Sequence, residues 1–402
     1  MNVLMVTSSY PRFPGDVVAP FIESIATGIA ARGHRVDVVL PHHPALRRPA
    51  GGPVAFHPYR YAPDRFSRWG YAQSLKADVS VRGGMFLLAP LVALALRGTV
   101  ADRLRSVRYD VVHAHWIVPN AALVADVVRA HGVPLVVSAH GSDVFVAERL
   151  APARELARFT LRAAGAVTAC SRDLSARAIA LGAREERTRT VPYGADLPAP
   201  GAAGEVAATR ARLGAEPGAV LVLGLGRLVE KKGFTHLVEA AARVPGVHVA
   251  LAGDGDLRDA LGVQAAHAGA PVRLVGALDR DAVAAALAAA DIVAVPSVVD
   301  RAGNVDGLPN VLLEAMAAGR AVVASRVAGI PDVVTDGVDG ILVAPGDSGA
   351  LAAALGRLAA DPVLRARLGT AARTTVATRL GWDRAAQAFE EAYAAAAALD
   401  AR

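Results

Sequence analysis

A turn rich in positive charge lies in the second half of the chain. The segment Gly224 to Gly233 links an apolar, strand-like stretch to a helix-like one and carries Arg227, Lys231 and Lys232. Since only three of the 43 basic residues are lysines, two of them in one turn are unusual. An arginine fork beside compact ammonium groups can hold a diphosphate without a metal ion. The turn therefore predicts a phosphate site, and the plainer interpretation is a solvated basic turn.

A second segment, from Asp306 to Gly319, combines carboxylates with the start of a helix. Pro309 suits the first turn of a helix and Gly319 suits its end. The free N–H groups at such a start attract anions such as phosphate. Asp306 and Glu314 stand eight positions apart, and carboxylates on either side of an anion could bind hydroxyl groups. Taken singly, they would be a capping acid and an ordinary helix glutamate.

The elements that position these segments alternate along the chain. Short apolar and β-branched runs are separated by alanine-rich stretches such as Pro20–Arg32 and Asn120–His131, a pattern typical of βαβ units. The strands predicted in the first half are Asn2–Thr7, Arg35–Leu40, Asp110–His115, Leu135–Ala139, Ala166–Ala169 and Thr188–Val191. Those in the second half are Ala219–Gly226, His248–Ala252, Val272–Val275, Ile292–Pro296, Ala321–Ala324 and Gly340–Val343. The pattern predicts an α/β fold with two doubly wound parallel sheets.

Length and turn residues divide the chain into two domains. At 402 residues it is about twice the size of an ordinary domain, and the Pro/Gly-rich stretch Pro192–Gly201 is typical of a linker. We expect an N-terminal domain over residues 1–195 and a C-terminal domain over 203–380, with a last helix at about 383–402 that packs back on the first. Ligands of open parallel sheets bind beyond the carboxyl ends of the strands. A cleft between two facing sheets is therefore the expected site.

Composition excludes several classes of protein. Hydrophobic residues make up 53% of the chain and charged residues 20%, which is too apolar for a disordered protein. The single cysteine, Cys170, rules out a disulfide framework. The longest uncharged apolar run, Met85–Leu96, is too short to span a membrane. Because the N-terminus shows no signal-peptide pattern either, we expect a cytoplasmic globular protein.

Positive charge is concentrated in the first half. Residues 1–199 hold 24 Lys/Arg against 15 Asp/Glu, a net +9, and residues 42–108 hold 11 against 3, a net +8. Beside the apolar run Met85–Leu96, this favours a phosphorylated or lipid-linked partner, or peripheral contact with the inner face of an anionic membrane. No aromatic platform or helix-turn-helix pattern accompanies the arginines, so we expect no nucleic acid partner. An arginine-rich surface around a core helix is the plainer alternative.

Five segments together resemble the retaining glycosyltransferases of family 4, also called group 1. They are the loop Ser8–Asp16, the stretch Ala139-His140-Gly141-Ser142-Asp143, the linker Val191–Asp196, the turn Gly226–Gly233 and the pair Asp306/Glu314. The resemblance spans essentially the whole chain and implies the GT-B fold, with two facing Rossmann-like domains. Family members usually carry Glu-x7-Glu, so Asp306 is a departure from the pattern.

The resemblance implies a role for each matching residue. Arg227 and Lys232 would neutralise the diphosphate of a nucleotide sugar, with Lys231 as a weaker candidate. Glu314 would hold the ribose and Asp306 the donor sugar. The catalytic residues would be His140, Arg227, Lys232 and Asp306. The donor site would comprise Gly15, Arg227, Lys231, Lys232, Gly253, Ala277, Leu278, Asp306, Gly307, Leu308, Pro309, Asn310, Val311 and Glu314. The acceptor side would include His115, Trp116 and Asp143. Neither a metal ion nor a cofactor is implied.

The same resemblance favours a front-face reaction without metal that retains the anomeric configuration. A double displacement would need a carboxylate beside the anomeric carbon, and the motifs place none there. A UDP-sugar is the favoured donor, GDP-mannose is also compatible, and the product would be a polysaccharide, glycolipid or natural-product glycoside. Two alternatives stay open: another GT-B enzyme such as a sugar-nucleotide 2-epimerase, or a non-catalytic sugar-nucleotide-binding protein.

Overall fold

The chain divides into two units, each with its own parallel sheet. Unit 1 comprises Met1–Pro192 and Trp382–Arg402, and unit 2 comprises Tyr193–Gly381. The structure, a computed structural model, describes residues 1–48, 51–67, 69–71, 75–76, 80–81, 85–198, 203–216 and 218–400. Positions 199–201 of the predicted linker therefore lie outside the described residues.

Unit 1 is built on a seven-stranded parallel sheet. Its strands are β1 (Asn2–Val6), β2 (Arg35–Pro41), β3 (Val54–Tyr59), β6 (Val111–His115), β7 (Leu135–Ala139), β8 (Ala166–Ala169) and β9 (Thr188–Thr190), while β4 (Leu75–Lys76) and β5 (Ser80–Val81) form a separate antiparallel pair. The order is β3-β2-β1-β6-β7-β8-β9, so the direction of winding reverses between β1 and β6. Val3 lies opposite Val36 of β2 and Val111 of β6, and all three are buried, as expected of a sheet covered on both faces.

Helices link these strands, and one helix returns from the far end of the chain. They are α1 (Pro20–Ala31), α2 (Met85–Ser106), α3 (Ala122–Ala130), α4 (Ser142–Arg149), α5 (Ala151–Ala163), α6 (Arg172–Ala180) and α15 (Trp382–Asp400). Small residues let α15 approach its neighbours closely: a Cβ added to Gly28 of α1 would lie 3.3 Å from the Ala386 Cβ. Phe389 and Tyr393 of α15 are buried in the core of unit 1. The last helix is therefore part of the first unit's core.

Unit 2 has the same winding in a six-stranded parallel sheet. Its strands are β10 (Val220–Leu225), β11 (Val247–Ala252), β12 (Val272–Gly276), β13 (Ile292–Val295), β14 (Ala321–Ser325) and β15 (Ile341–Val343). Its helices are α7 (Ala203–Arg212), α8 (Phe234–Ala241), α9 (Arg258–Ala268), α10 (Arg280–Ala289), α11 (Asn310–Ala317), α12 (Ile330–Val333), α13 (Ser348–Ala360) and α14 (Pro362–Arg379). The strand order β12-β11-β10-β13-β14-β15 reverses between β10 and β13.

The prediction of an α/β fold with two doubly wound parallel sheets is confirmed. The sequence prediction lacks the strand β3, whose segment contains Pro58, a residue that usually interrupts a strand. In the structure β3 is an edge strand that pairs with β2, where a missing N–H is tolerated.

The apolar run Met85–Leu96 lies within α2, a helix of 22 residues with Pro90 inside it. Leu96 and Val100 of this helix are buried in unit 1. Within the described parts of the chain, no helix combines the length and the apolar character that crossing a bilayer requires.

A close backbone contact in unit 2 gives a test of this packing. A Cβ added to Gly369 in α14 would lie 2.1 Å from the carbonyl oxygen of Gly319, a backbone atom that cannot rotate away. We expect Gly369→Ala to lower the free energy of unfolding by about 1–3 kcal/mol, the usual range for overpacked sites, as measured by urea denaturation.

The matched control is Gly356→Ala in α13. There the nearest neighbour of the added Cβ is the Val244 Cγ1 at 3.8 Å, an ordinary contact. Alanine is favoured over glycine in a helix by about 1 kcal/mol, so this variant should be neutral or stabilised. Equal destabilisation at the two positions would contradict the assigned contact.

Candidate functional site

In each unit, two loops lie at the point where the strand order of the sheet reverses. In unit 2 they follow β10 and β13, and in unit 1 they follow β1 and β6. Because connections leave on opposite faces of the sheet at such a point, a crevice opens beyond the carboxyl ends of the strands. Both segments that the sequence singles out for phosphate binding follow the unit 2 pair.

The basic turn after β10 is pressed against the end of β13. Gly233 has φ +66°, and a Cβ there would lie 1.9 Å from the Pro296 carbonyl oxygen, so only glycine fits. The Val298 N–H donates to the Lys231 carbonyl at 2.9 Å. As a result the side chain of Lys231 is 7% exposed and that of Lys232 is 16% exposed.

Asp306 joins the two lysines of this turn. Its Oδ1 lies 3.0 Å from Lys231 Nζ, and its Oδ2 lies 2.6 Å from Lys232 Nζ. Burial opposes the charge of Asp306, but the ammonium groups of Lys232 and Lys231 outweigh it and hold the pKa of the carboxyl well below its usual range. An ammonium group has three N–H donors, so the ion pair with Asp306 leaves donor capacity on Lys232 for an anion.

Arg227 belongs to the same turn as this lysine. A Cβ added to Gly226 would lie 3.3 Å from Lys232 Cε, which shows that the lysine side chain extends across Gly226. The next residue, Arg227, is exposed. Arg227 and Lys232 therefore belong to one turn at the carboxyl end of β10, and the Lys232 side chain passes over the residue before Arg227.

The helix α11 begins at Asn310, directly after Pro309, close to the predicted start. Glu314 is half-buried in this helix, and burial raises its pKa while the charges of Arg280 and Lys232 oppose the shift. Lys232 therefore acts on both carboxylates of the pair. The remaining residues predicted for the helix start lie at its entrance: Gly307, Leu308 and Pro309 are buried, and Val311 is half-buried.

The turns after β11 and β12 lie along the same edge of the unit 2 sheet. A Cβ on Gly253 would come within 1.8 Å of the Gly226 carbonyl oxygen, and the Gly253 N–H donates to the Gly276 carbonyl at 2.8 Å. Glycine at position 253 is therefore required by backbone packing. Ala277 is exposed and Leu278 half-buried, so both lie at the accessible rim of this edge.

In unit 1 the loop after β1 is shaped by an ion pair between Arg12 and Asp16. The Arg12 Nε donates to Asp16 Oδ2 at 2.7 Å, its terminal nitrogen to Oδ1 at 3.1 Å, and its backbone N–H to Oδ2 at 2.9 Å. Gly15 has φ +87° and no atom within 4 Å of an added Cβ. The positive φ of the turn therefore explains why a glycine occupies position 15, and steric crowding by a neighbouring residue does not.

Three histidines form a cluster on β6 and directly after β7: His113 and His115 are buried, and His140 is half-buried. His115 Nδ1 lies 3.0 Å from His140 Nε2, and His113 bonds to Tyr393 Oη at 2.7 Å and Ser138 Oγ at 2.6 Å. Burial lowers the pKa of His113 and of His140 to about 3, and that of His115 well below its usual value. All three imidazoles are therefore neutral near pH 7.

The predicted acceptor-side residues have different surroundings. His115 is fully buried, whereas Trp116 is half-buried. Asp143 is 2% exposed, and its carboxylate accepts from the backbone N–H groups of Ile117 and Gly141, among others, at 2.8 and 3.0 Å. Burial raises the pKa of Asp143, and these backbone donors oppose that shift. Its geometry is that of a residue that positions the loops after β6 and β7.

The described residues include no group of three or more His, Cys, Asp or Glu side chains arranged to hold a metal ion.

Long-range contacts around these loops are absent from the sequence prediction. The pairing of Arg12 with Asp16 at i, i+4 has a local signal in its spacing. His113 and Tyr393 are 280 positions apart, and no local sequence pattern predicts their contact. The ion pairs of Asp306 likewise depend on β10 and β13 being neighbours in the sheet.

Comparison with known proteins assigns both units to sequence families. Residues 18–194 match the family model of the glycosyl transferase 4-like domain, and residues 219–361 match that of glycosyl transferases group 1.

Individual relatives agree with these matches. The chain is 35% identical to the D-inositol 3-phosphate glycosyltransferase of Xylanimonas cellulosilytica over 72% of each chain. It is 31% identical to the GDP-mannose-dependent alpha-(1-6)-phosphatidylinositol monomannoside mannosyltransferase of Mycolicibacterium smegmatis over 92% of each chain. Among solved structures, Anabaena HepE in complex with UDP and glucose has a TM-score of 0.76 at 24% identity, covering 97% of this chain and 98% of that one. The structural likeness concerns the fold.

The ion pairs of Asp306 lead to a prediction about stability. Asp306→Asn removes the negative charge and leaves two buried ammonium groups facing a neutral amide, so the free energy of unfolding at pH 7 should fall by about 3 kcal/mol. The folded-state pKa of Asp306 is depressed, so its stabilising effect is complete above the ordinary carboxyl pKa of about 4 and is lost as the pH falls below it. The difference between wild type and variant should therefore shrink below pH 4 in urea denaturation.

Glu230→Gln on the same turn is the matched control. Glu230 pairs with Arg301 at 3.3 Å, but the arginine side chain is 94% exposed, and such surface pairs contribute about 0–1 kcal/mol. A pH-independent loss in Asp306→Asn, or one no larger than in Glu230→Gln, would speak against the assigned ion pairs.

Proposed function

This chain belongs to the group 1 glycosyltransferases of the GT4 type, with the GT-B fold, and we propose that it transfers a hexose from a nucleotide-diphosphate sugar to a hydroxyl acceptor with retention of the anomeric configuration. The observation that carries this proposal is the group formed by Arg227, Lys232 and Asp306 at the point where the unit 2 sheet reverses. It supplies cations for the two phosphates and a carboxylate for a sugar hydroxyl.

The donor phosphates would bind to the basic turn. Lys232 is ion paired with Asp306, and Arg227 is an exposed residue of the same turn, so both cations would be available to the donor phosphates. The N–H groups at the start of α11 add a further anion-binding element. Glu314, half-buried in that helix, would accept hydrogen bonds from the ribose. We propose that no metal ion is required, because these groups balance the diphosphate charge.

The reaction we propose takes place on one face of the sugar. The bond from the anomeric carbon to the leaving phosphate oxygen breaks as the acceptor oxygen bonds to that carbon from the same face, and the acceptor proton passes to the leaving phosphate oxygen. Arg227 and Lys232 stabilise the charge that develops on the diphosphate. Asp306 is a poor nucleophile because both of its oxygens face ammonium groups, which supports this course over a covalent intermediate. Neutral His140 would form a hydrogen bond to the sugar.

Two donors have support. A UDP-sugar is the first expectation, because the rim at Ala277 and Leu278 offers backbone groups to a base. GDP-mannose is the second, because the M. smegmatis relative, matched over 92% of this chain, is named for it.

For the acceptor we propose a phosphate-bearing hydroxyl compound. The first half of the chain carries a net charge of +9. The names of both relatives contain a phosphorylated inositol, either free or as a phosphatidylinositol. The product would then be a glycolipid or another phosphate-bearing glycoside.

We further propose peripheral membrane contact through α2. Its leucines at i, i+4 and i+7 share one face and are exposed by 82%, 48% and 73%: Leu87, Leu91 and Leu94. Much of the nearby basic charge is internally paired, for example Arg97 with Asp126 and Arg103 with Asp37. Arg68 and Arg82 lie outside the described residues. The apolar face is therefore the stronger of the two arguments for this contact.

Donor binding and turnover test the proposed function. Calorimetry in the presence of EDTA should detect binding of UDP-glucose or GDP-mannose, and Arg227→Ala or Lys232→Ala should reduce transfer by about 10²-fold or more. The control is Arg301→Ala, since that side chain is 94% exposed and pairs only with Glu230 among the ion pairs described. Binding of neither nucleotide sugar, or near wild-type transfer in both variants, would refute the proposal. Release of nucleotide without any acceptor would favour an epimerase or hydrolase instead.

Liposome flotation tests the membrane contact. The chain should float with vesicles of phosphatidylglycerol and phosphatidylcholine, and the triple variant Leu87→Ser, Leu91→Ser, Leu94→Ser should bind about tenfold more weakly, because it removes apolar surface from the lipid-facing side. Val363→Ser, which changes a 77% exposed residue of unit 2, should bind normally. Flotation that is absent in wild type, or unchanged in the triple variant, would remove α2 as the contact.

A further inference from the structure

One segment of unit 2 contains buried polar side chains whose nitrogen or oxygen atoms have no hydrogen-bond partner. In the described part of this unit, every buried side-chain nitrogen or oxygen without a hydrogen-bond partner lies within residues 297–310. One of these atoms, an oxygen of Asp306, is ion paired with Lys232. The others are Ser297 Oγ, both carboxamide atoms of Asn304, and Asn310 Oδ1.

Asn304 differs from the others because both polar atoms of its side chain lack a hydrogen-bond partner. It is 1% exposed, and its backbone is held on both sides: the Asn304 N–H donates to Asp300 Oδ1 at 2.8 Å, and its carbonyl accepts from the Asp300 N–H at 2.9 Å. The carboxamide has no such partner on either atom. Burying two polar groups without hydrogen-bond partners lowers the stability of the free protein. The presence of Asn304 at this position therefore points to a role in binding a ligand.

The position of this segment in unit 2 indicates which part of the donor it would contact. It runs from the end of β13 to the start of α11 and is tied to the basic turn by the Val298–Lys231 hydrogen bond and by the ion pairs of Asp306. Asn304 stands two residues before Asp306, the residue proposed to contact the donor sugar. The rim proposed for the base follows β12, three strands away from β13. At about 4.8 Å per strand, that is roughly 14 Å along the sheet.

We propose that Asn304, with Ser297 beside the same loop, binds hydroxyl groups of the donor hexose and so contributes to the choice of sugar. This inference rests on the proposed function. A carboxamide presents one acceptor oxygen and one donor nitrogen, which match two neighbouring hydroxyls because each hydroxyl can donate or accept. A phosphate carries acceptors and would leave the Asn304 oxygen facing negative charge. The sugar is therefore the part of the donor that satisfies both atoms.

Asn304→Leu tests the proposal, because leucine keeps the approximate size and removes both polar atoms. Calorimetry with the full chain compares UDP and GDP with UDP-glucose and GDP-mannose. We expect the variant to bind the preferred nucleotide sugar about tenfold to hundredfold more weakly than wild type, as for one or two lost hydrogen bonds, and to bind the matching nucleoside diphosphate equally well. The melting temperature should stay the same or rise, since the free protein loses no hydrogen bond.

Asn120→Leu is the matched control for stability. Asn120 is also 1% exposed and its Oδ1 also lacks a hydrogen-bond partner, but its Nδ2 donates to the His115 carbonyl at 2.8 Å. Its replacement removes that hydrogen bond and should lower the melting temperature by several degrees.

Each result decides the matter. A nucleotide-sugar affinity that is unchanged in Asn304→Leu, or an equal loss of nucleoside diphosphate affinity, overturns sugar recognition by Asn304 while leaving the proposed function intact. A fall in melting temperature as large as that of Asn120→Leu shows that the carboxamide is satisfied in the free protein, and also overturns it. If wild type binds none of the four nucleotides, the proposed function fails and this inference fails with it.

Discussion

The carboxylate of Asp306 between two ammonium groups is the contact on which the candidate site of unit 2 depends. Lysine side chains exposed by only 7% and 16% would be costly to keep charged without an opposite charge beside them. Because the lysines follow β10 and the carboxylate follows β13, their pairing joins the two loops at the point where the sheet reverses. The position of Lys232 and the placement of the segment before α11 both follow from this one arrangement.

The ends of β6 and β7 in unit 1 differ in charge from the loops after β10 and β13 in unit 2. The unit 2 loops concentrate ionised groups, whereas the ends of β6 and β7 carry imidazoles that burial keeps neutral, with the pKa of His140 lowered to about 3. The carboxyl of Asp143 is occupied by backbone N–H groups and so contributes order to its loop.

Much of the fold was predictable because its signals are local. Buried parallel strands appear as runs of valine and alanine, and Pro309 and Gly319 mark the ends of α11 within two residues. The scarcity of lysine pointed to the basic turn. What could not be predicted depends on partners distant in sequence: the ion pairs of Asp306, the bond of His113 to Tyr393, and the unanswered carboxamide of Asn304. The edge strand β3 was missed for a different reason, since Pro58 is tolerated only because β3 has a neighbour on one side.

Because α15 belongs to unit 1, the order in which the chain is synthesised affects how that unit is completed. Phe389 and Tyr393 fill the core of a unit whose other residues end at Pro192, so almost all of unit 2 is synthesised between the two parts of unit 1. All of unit 2 is therefore synthesised before the last helix of unit 1. Until α15 is synthesised and packs against α1, the part of unit 1 that is made first lacks the side chains of Phe389 and Tyr393 that fill its core.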